Sequence, residues 1–151
     1  MIAIGLSLSA CKKKDEETEP QDNNEGSGTM TAKIDGTDWS ASLAVQGVYS
    51  NNLFTVTGSD ANSKQLQITI MNVNGTGDYT LGGDPTNTNA GRWTEGIGQE
   101  QTFSTQLGLG SGTVNITEWT GSKAEGTFSF TAKNSEQAEV SITEGAFSVS
   151  L

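Results

Sequence analysis

"GTFSFTAKNSEQAEVSITEGAFSVS", residues 126–150, decides the fold class. Phe128, Phe130 and Ala132 alternate with Ser and Thr, and after a polar break at Asn134-Ser135-Glu136 so do Val140 and Ile142. Apolar groups at every second position share one face of an extended chain, whereas a helix needs them three or four residues apart. The segment therefore reads as antiparallel strands with one wet face. Its end changes phase: Val140 and Ile142 are even-numbered, while Phe147, Val149 and Leu151 are odd-numbered. Such a change needs a turn or a bulge at Glu144-Gly145. A two-residue hairpin, pairing Ile142 with Phe147 and Val140 with Val149, is preferred here over a glycine bulge in one long strand.

The same period of two runs upstream through Met30-Ala32-Ile34, Trp39-Ala41-Leu43-Val45, Phe54-Val56, Leu66-Ile68-Ile70, Tyr79-Leu81 and Val114-Ile116. Gly47 and Tyr49 continue the face of the second run. Asp35-Gly36 signals a tight hairpin, and residues 59–63 and 74–78 are rich in turn formers. No stretch of ten residues carries a helical stripe. The prediction is an all-β fold, an antiparallel β-sandwich of about eight to ten short strands, with an up-and-down, lipocalin-like barrel as the alternative. The longest irregular stretch, residues 82–101, is a candidate functional loop with room for a short strand near Ala90 to Thr94. Gly108 to Gly112, "GLGSG", lacks the following helix of a nucleotide loop and reads as a turn.

Composition narrows the chemistry. Of 151 residues only 32% are apolar, 19 are glycine, and the formal net charge is −10. An acidic chain repels a phosphate backbone, so nucleic acid is not expected as a partner. There is no histidine and a single cysteine. That removes internal disulfides, the usual zinc sites, and Ser–His–Asp or Cys–His catalysis. Neither a cofactor nor a metal is expected.

The single cysteine is placed for attachment. Residues 1–10, "MIAIGLSLSA", are apolar and end in small residues, as a signal-peptide remnant does. Leu8-Ser9-Ala10-Cys11 resembles the bacterial lipobox, whose cysteine becomes acylated. Residues 11–28 then comprise the lipidated Cys11 and an acidic tether without apolar groups to bury. Lys14-Asp15-Glu16 resembles the export signal of surface-exposed Bacteroidetes lipoproteins. The expected location is thus the outer membrane, lipid-anchored and surface-exposed, with a periplasm-facing orientation as the alternative. Residues 29–151 form the single β domain. Its opening, Met30 to Ala41 with Asp35-Gly36 and Trp39, and its closing run from Gly126 to Phe147 resemble a family of Bacteroidetes lipoproteins of unknown function. That resemblance rests on strand and turn patterns and implies no catalytic residue.

Candidate ligand contacts are few. Trp39 shares the phase of Ala41, Leu43 and Val45 and is assigned to the core. Arg92-Trp93, holding the only arginine, combines a planar fork with a stacking face. Trp119 is out of phase with Val114 and Ile116 and is a second exposed aromatic candidate. Asp35, Asp38, Asp78, Asp84 and Asn87 offer oxygen ligands for Ca²⁺ but match no EF-hand spacing. They are read as turn formers. Glu95, Glu100 and Glu118 contain no pair singled out for glycoside hydrolysis. The expected activity is non-enzymatic, a binding or structural domain whose partner is a glycan or an envelope protein. A small carboxylate-based hydrolase is the alternative.

Overall fold

A computed structural model describes residues 28–151, so Cys11 and the leader lie outside the described residues. The strands are β1 (Gly28–Ile34), β2 (Thr37–Ser40), β3 (Ala44–Ser50), β4 (Leu53–Ser59), β5 (Gln65–Ile70), β6 (Gly77–Gly82), β7 (Ala90–Thr94), β8 (Thr102–Ser104), β9 (Ser111–Trp119), β10 (Lys123–Lys133) and β11 (Glu139–Ser150). All pair antiparallel in one 11-stranded open sheet. The main path runs β2-β1-β11-β10-β8-β7-β5-β4-β3, with β9 on β10 and β6 on β9. The halves meet where β10 touches β8 through Lys133 and Ser104.

The two halves face each other across a single core. Phe54, Val56, Leu66, Ile68 and Trp93 enter it from one half, and Met30, Ile116, Phe128, Ile142 and Phe147 from the other. Glycines allow the close approach: a Cβ on Gly91 would lie 2.7 Å from the Phe130 ring, and one on Gly47 2.7 Å from a Val149 methyl. Only a side chain without Cβ lets the facing strands come this near.

The sandwich expected from periodicity is present, with eleven strands rather than eight to ten. The run from Trp39 to Val45 divides, because residues 41–43 carry the chain from β2 across to β3, with the Ala41 N–H bonded to Met30 O and the Leu43 N–H to Ser59 O. The stretch 82–101 holds β7 between its two irregular parts. The preferred hairpin at Glu144-Gly145 gives way to the bulge. Phe128 faces Gly145 and Phe130 faces Ile142, so Thr143 and Glu144 together oppose Ser129. Glu144 takes φ 49° and shifts the apolar parity within one strand. A second bulge follows the same logic: Glu125 faces Glu118 but Gly126 faces Ile116, leaving Thr117 unpaired.

Cross-strand pairing defines the two ends of the sandwich. Gly28, Val149, Ala124 and Trp119 lie side by side at one end. The β1–β2 turn at Asp35-Gly36, the turn after Ser59 and the end of β7 lie at the other. A seven-residue strand such as β4 separates them by about 20 Å.

Candidate ligand-binding cleft

The end away from Gly28 is built around two indoles. Asp35 and Gly36 take φ 48° and 84°, the positive values of a tight hairpin, and turn β1 into β2. Trp39 then lies beside Ala32 and is half-buried. Trp93 lies between Leu66 and Phe103 on β5 and β8 and is 1% exposed. The rings meet edge to face, centroids 5.3 Å apart and planes at 87°, the arrangement that aromatic quadrupoles favour.

Each indole N–H is capped by a carboxylate. Trp39 Nε1 donates to Asp60 Oδ2 at 2.8 Å, and Trp93 Nε1 to Glu95 Oε1 at 2.9 Å. Asp60 organises its own turn as well, because its Oδ1 accepts the N–H groups of Asn62 at 2.8 Å and Lys64 at 3.0 Å. Burial pushes the Asp60 carboxyl up. The Lys64 N–H, the Trp39 indole, the Asn62 N–H and the Lys64 charge outweigh it and hold the group below the usual carboxylate range.

A cleft of about 450 Å³ opens here, lined by Asp35, Asp38, Trp39, Asp60, Lys64 and Glu95 among others. That volume lies within the range of small-ligand sites. The lining is dominated by hydrogen-bond acceptors, with the Trp39 indole and Ile34 as apolar surface.

The sequence candidates are dispersed over the molecule. Trp93 and Arg92 are neighbours on a strand and therefore point to opposite faces. The ring goes into the core, and the guanidinium goes to the outer face beside Gln67 and Ser104. Arg92-Trp93 is thus not one contact site, and Trp93 offers no open stacking face. Among the described residues Arg92 forms no ion pair. Trp119 is at the opposite end. The Thr117 bulge turns it inward, where it packs edge to face on Phe54 at 5.4 Å and Tyr49 at 5.0 Å and stays half-buried.

Of the oxygen-rich residues, Asp35, Asp84 and Asn87 serve the backbone, and Asp78 holds a neighbouring side chain. Asp35 Oδ1 accepts the Ser141 N–H. Asp84 Oδ1 accepts the Thr86 N–H and hydroxyl, which hold its carboxyl below the usual range. Asp78 accepts from Asn115 Nδ2 at 2.6 Å, and Asn87 Nδ2 donates to Thr80 O and Gly82 O. Among the described residues no three Asp, Glu or Cys side chains converge as a metal site would require. Glu118 lies beside Trp119, so it and Glu95 occupy opposite ends. Glu100 contributes its backbone carbonyl to Asn134 Nδ2.

Asp60 is the residue that the sequence reading passed over. It appeared only as one member of a turn-forming run. Its signal was local: an Asp two and four residues before N–H groups it can cap. A family model described as a domain of unknown function (DUF6252) matches residues 26–149. No curated protein and no solved structure matches the chain.

Proposed function

We propose, for a chain that belongs to this family of unknown function, a lipid-anchored outer-membrane domain that binds a glycan without catalysis in the Trp39–Asp60–Glu95 cleft. The observation that carries the reading is the position of the cleft. It lies at the end of the sandwich farthest from Gly28, where the chain leading from Cys11 joins the domain. An anchor at Cys11 would then attach the domain by the end opposite the cleft and leave the cleft end clear of the attachment point. Carboxylate acceptors and one half-exposed indole suit the hydroxyls and ring faces of a neutral sugar. Asp35, Asp38 and Glu95 disfavour an acidic one by like-charge repulsion.

Binding is favoured over hydrolysis on two grounds. A glycosidase needs two carboxyl groups flanking one bond, one of them with raised proton affinity. Glu118 is at the opposite end from Glu95. Of the carboxylates that share the cleft, Asp35 is held by the Ser141 N–H, Glu95 by the Trp93 indole and Asp60 by Trp39 and its own turn, which keeps the Asp60 carboxyl below the usual range. Surface exposure of the anchored domain, suggested by Lys14-Asp15-Glu16, completes the proposal.

Two measurements test it. Screened on a glycan array, the wild-type domain should retain a neutral glycan. Asp38→Ala should weaken that binding at least about tenfold, the equivalent of about one hydrogen bond to a charged group. Asp38 is exposed, so its melting should stay within about 0.5 kcal/mol of wild type. Binding that is unchanged in Asp38→Ala places the site elsewhere. For anchoring, Cys11→Ser should abolish acylation and shift the protein to the soluble fraction. Continued labelling by a palmitate analogue would defeat the lipobox reading.

A further inference from the structure

The end of the sandwich around Gly28 has a surface unlike the rest of the molecule. The Asn51-Asn52 hairpin, with φ 53° and 64°, carries Tyr49 on its inner face and Val48 and Leu53 on its outer face to this end. The loop after β5 is tied to it by a Val73 N–H to Asn52 O bond, which brings Met71 alongside. Val48 is 49% exposed, Tyr49 40%, Leu53 37% and Met71 41%. The half-buried Trp119 touches Tyr49 and completes the group. Of the other exposed large apolar residues, Leu43 beside Ser59 and Ile97 beyond the end of β7 lie on separate loops of the far end, among its carboxylates, and Leu107 lies between β8 and β9.

Charge runs the opposite way. No charged residue occurs between Trp39 and Ser59 or between Gln65 and Gly77. At the Gly28 end, Lys123 bridges Glu118 and Glu125 at 3.6 and 2.6 Å and offsets part of their charge. Asp35, Asp38, Asp60 and Glu95 gather at the far end. A bilayer with anionic headgroups would repel that far end more strongly than the weakly charged, aromatic one, and indole and phenol rings settle at the headgroup level.

We infer that the apolar end formed by Val48, Tyr49, Leu53, Met71 and Trp119 rests on the lipid bilayer surface and sets the domain upright on it. This rests on the anchored reading above. Residues 12–27 could reach at most about 55 Å when fully extended, so the anchor alone would not fix an orientation. Tethering does raise the local lipid concentration enough for a weak patch to act.

The test imposes the tether chemically, so it does not depend on acylation in the cell. The full chain is coupled through Cys11, its only cysteine, to a maleimide-headgroup lipid. The vesicles are phosphatidylcholine–phosphatidylglycerol, with or without brominated acyl chains. Emission of the coupled protein should be quenched by the brominated vesicles. Trp119→Phe should remove the quenching, because Trp39 and Trp93 lie at the far end. Leu53→Ser/Met71→Ser, coupled to the same extent and melting like wild type, should lose it too. A coupled wild type that is not quenched, or quenching that survives in the double variant, overturns the inference. So does protection of the Gly28 end by an envelope protein in place of lipid. Failure of palmitate labelling in cells would strike only the anchoring proposal.

Discussion

Trp93→Ala should destabilise the domain by about 3–5 kcal/mol, the cost of removing a large aromatic from a packed core. The ring is 1% exposed. It fills the space between Leu66 and Phe103 and gives Trp39 its edge-to-face partner. Removing it leaves a cavity that β5 and β8 cannot collapse into, because their backbones are fixed by ladder bonds to β7. The melting temperature should fall by on the order of 10–20 °C for a domain of this size. Chemical denaturation measures the loss directly, with Trp93→Phe losing less because most of the ring volume remains. Any loss of glycan binding in Trp93→Ala follows from this unfolding and from a displaced Trp39, not from a missing stacking face. Unchanged melting would mean that the ring is exposed, contrary to its position between β5 and β8.

The fate of Arg92-Trp93 shows how far alternation can be read. Period two announced the strands from Met30 to Ile34, from Leu66 to Ile70 and from Phe128 to Ala132, and these are the strands found. The same rule, applied to adjacent residues, would have separated Arg92 from Trp93 once Ala90 to Thr94 was accepted as a strand. The sequence offered that strand only as an option within the glycine-rich irregular stretch, and the parity rule was not carried into it. Gly91 is small because Phe130 presses on it from the facing half, a tertiary cause with no local signature. Parity arguments failed where bulges intervene. Trp119 looked exposed because its number disagrees with Val114 and Ile116, yet one unpaired Thr117 reverses its direction. At Glu144-Gly145 the sequence fitted both a hairpin and a bulge, and the preferred hairpin was the wrong one. The choice falls to β1, which pairs with β11 on both sides of the irregularity and requires a continuous strand. The cleft was the least legible part. Its carboxylates come from the β1–β2 turn, from β2, from the turn after Ser59 and from the end of β7, which only the folded sheet brings together.

Asp60→Ala should cost about 2–4 kcal/mol, although the substitution removes no apolar contact of note. Three donors depend on this side chain: Trp39 Nε1 and the N–H groups of Asn62 and Lys64. Each donor stranded without water costs on the order of 1–3 kcal/mol, reduced where solvent can reach it. Asn62 is exposed and Lys64 and Trp39 are half-buried, which keeps the sum near the lower range. Asp60→Asn separates charge from geometry. Its carbonyl oxygen can still cap the turn, but its amide group presents hydrogens to the Trp39 N–H, so the indole bond is lost. The pH dependence has a definite sign. Asp60 is held below the ordinary aspartate value of about 3.9, so its contribution is complete above that pH and is lost as pH falls through the lower folded value. Wild type should therefore lose stability on acidification more steeply than Asp60→Asn, and the gap between them should narrow from about pH 5 downward. Urea titrations of both proteins at several pH values measure that gap. A gap that widens with acid would mean that burial, not the three donors, governs the carboxyl, and the cleft would then contain a group poised to hold a proton.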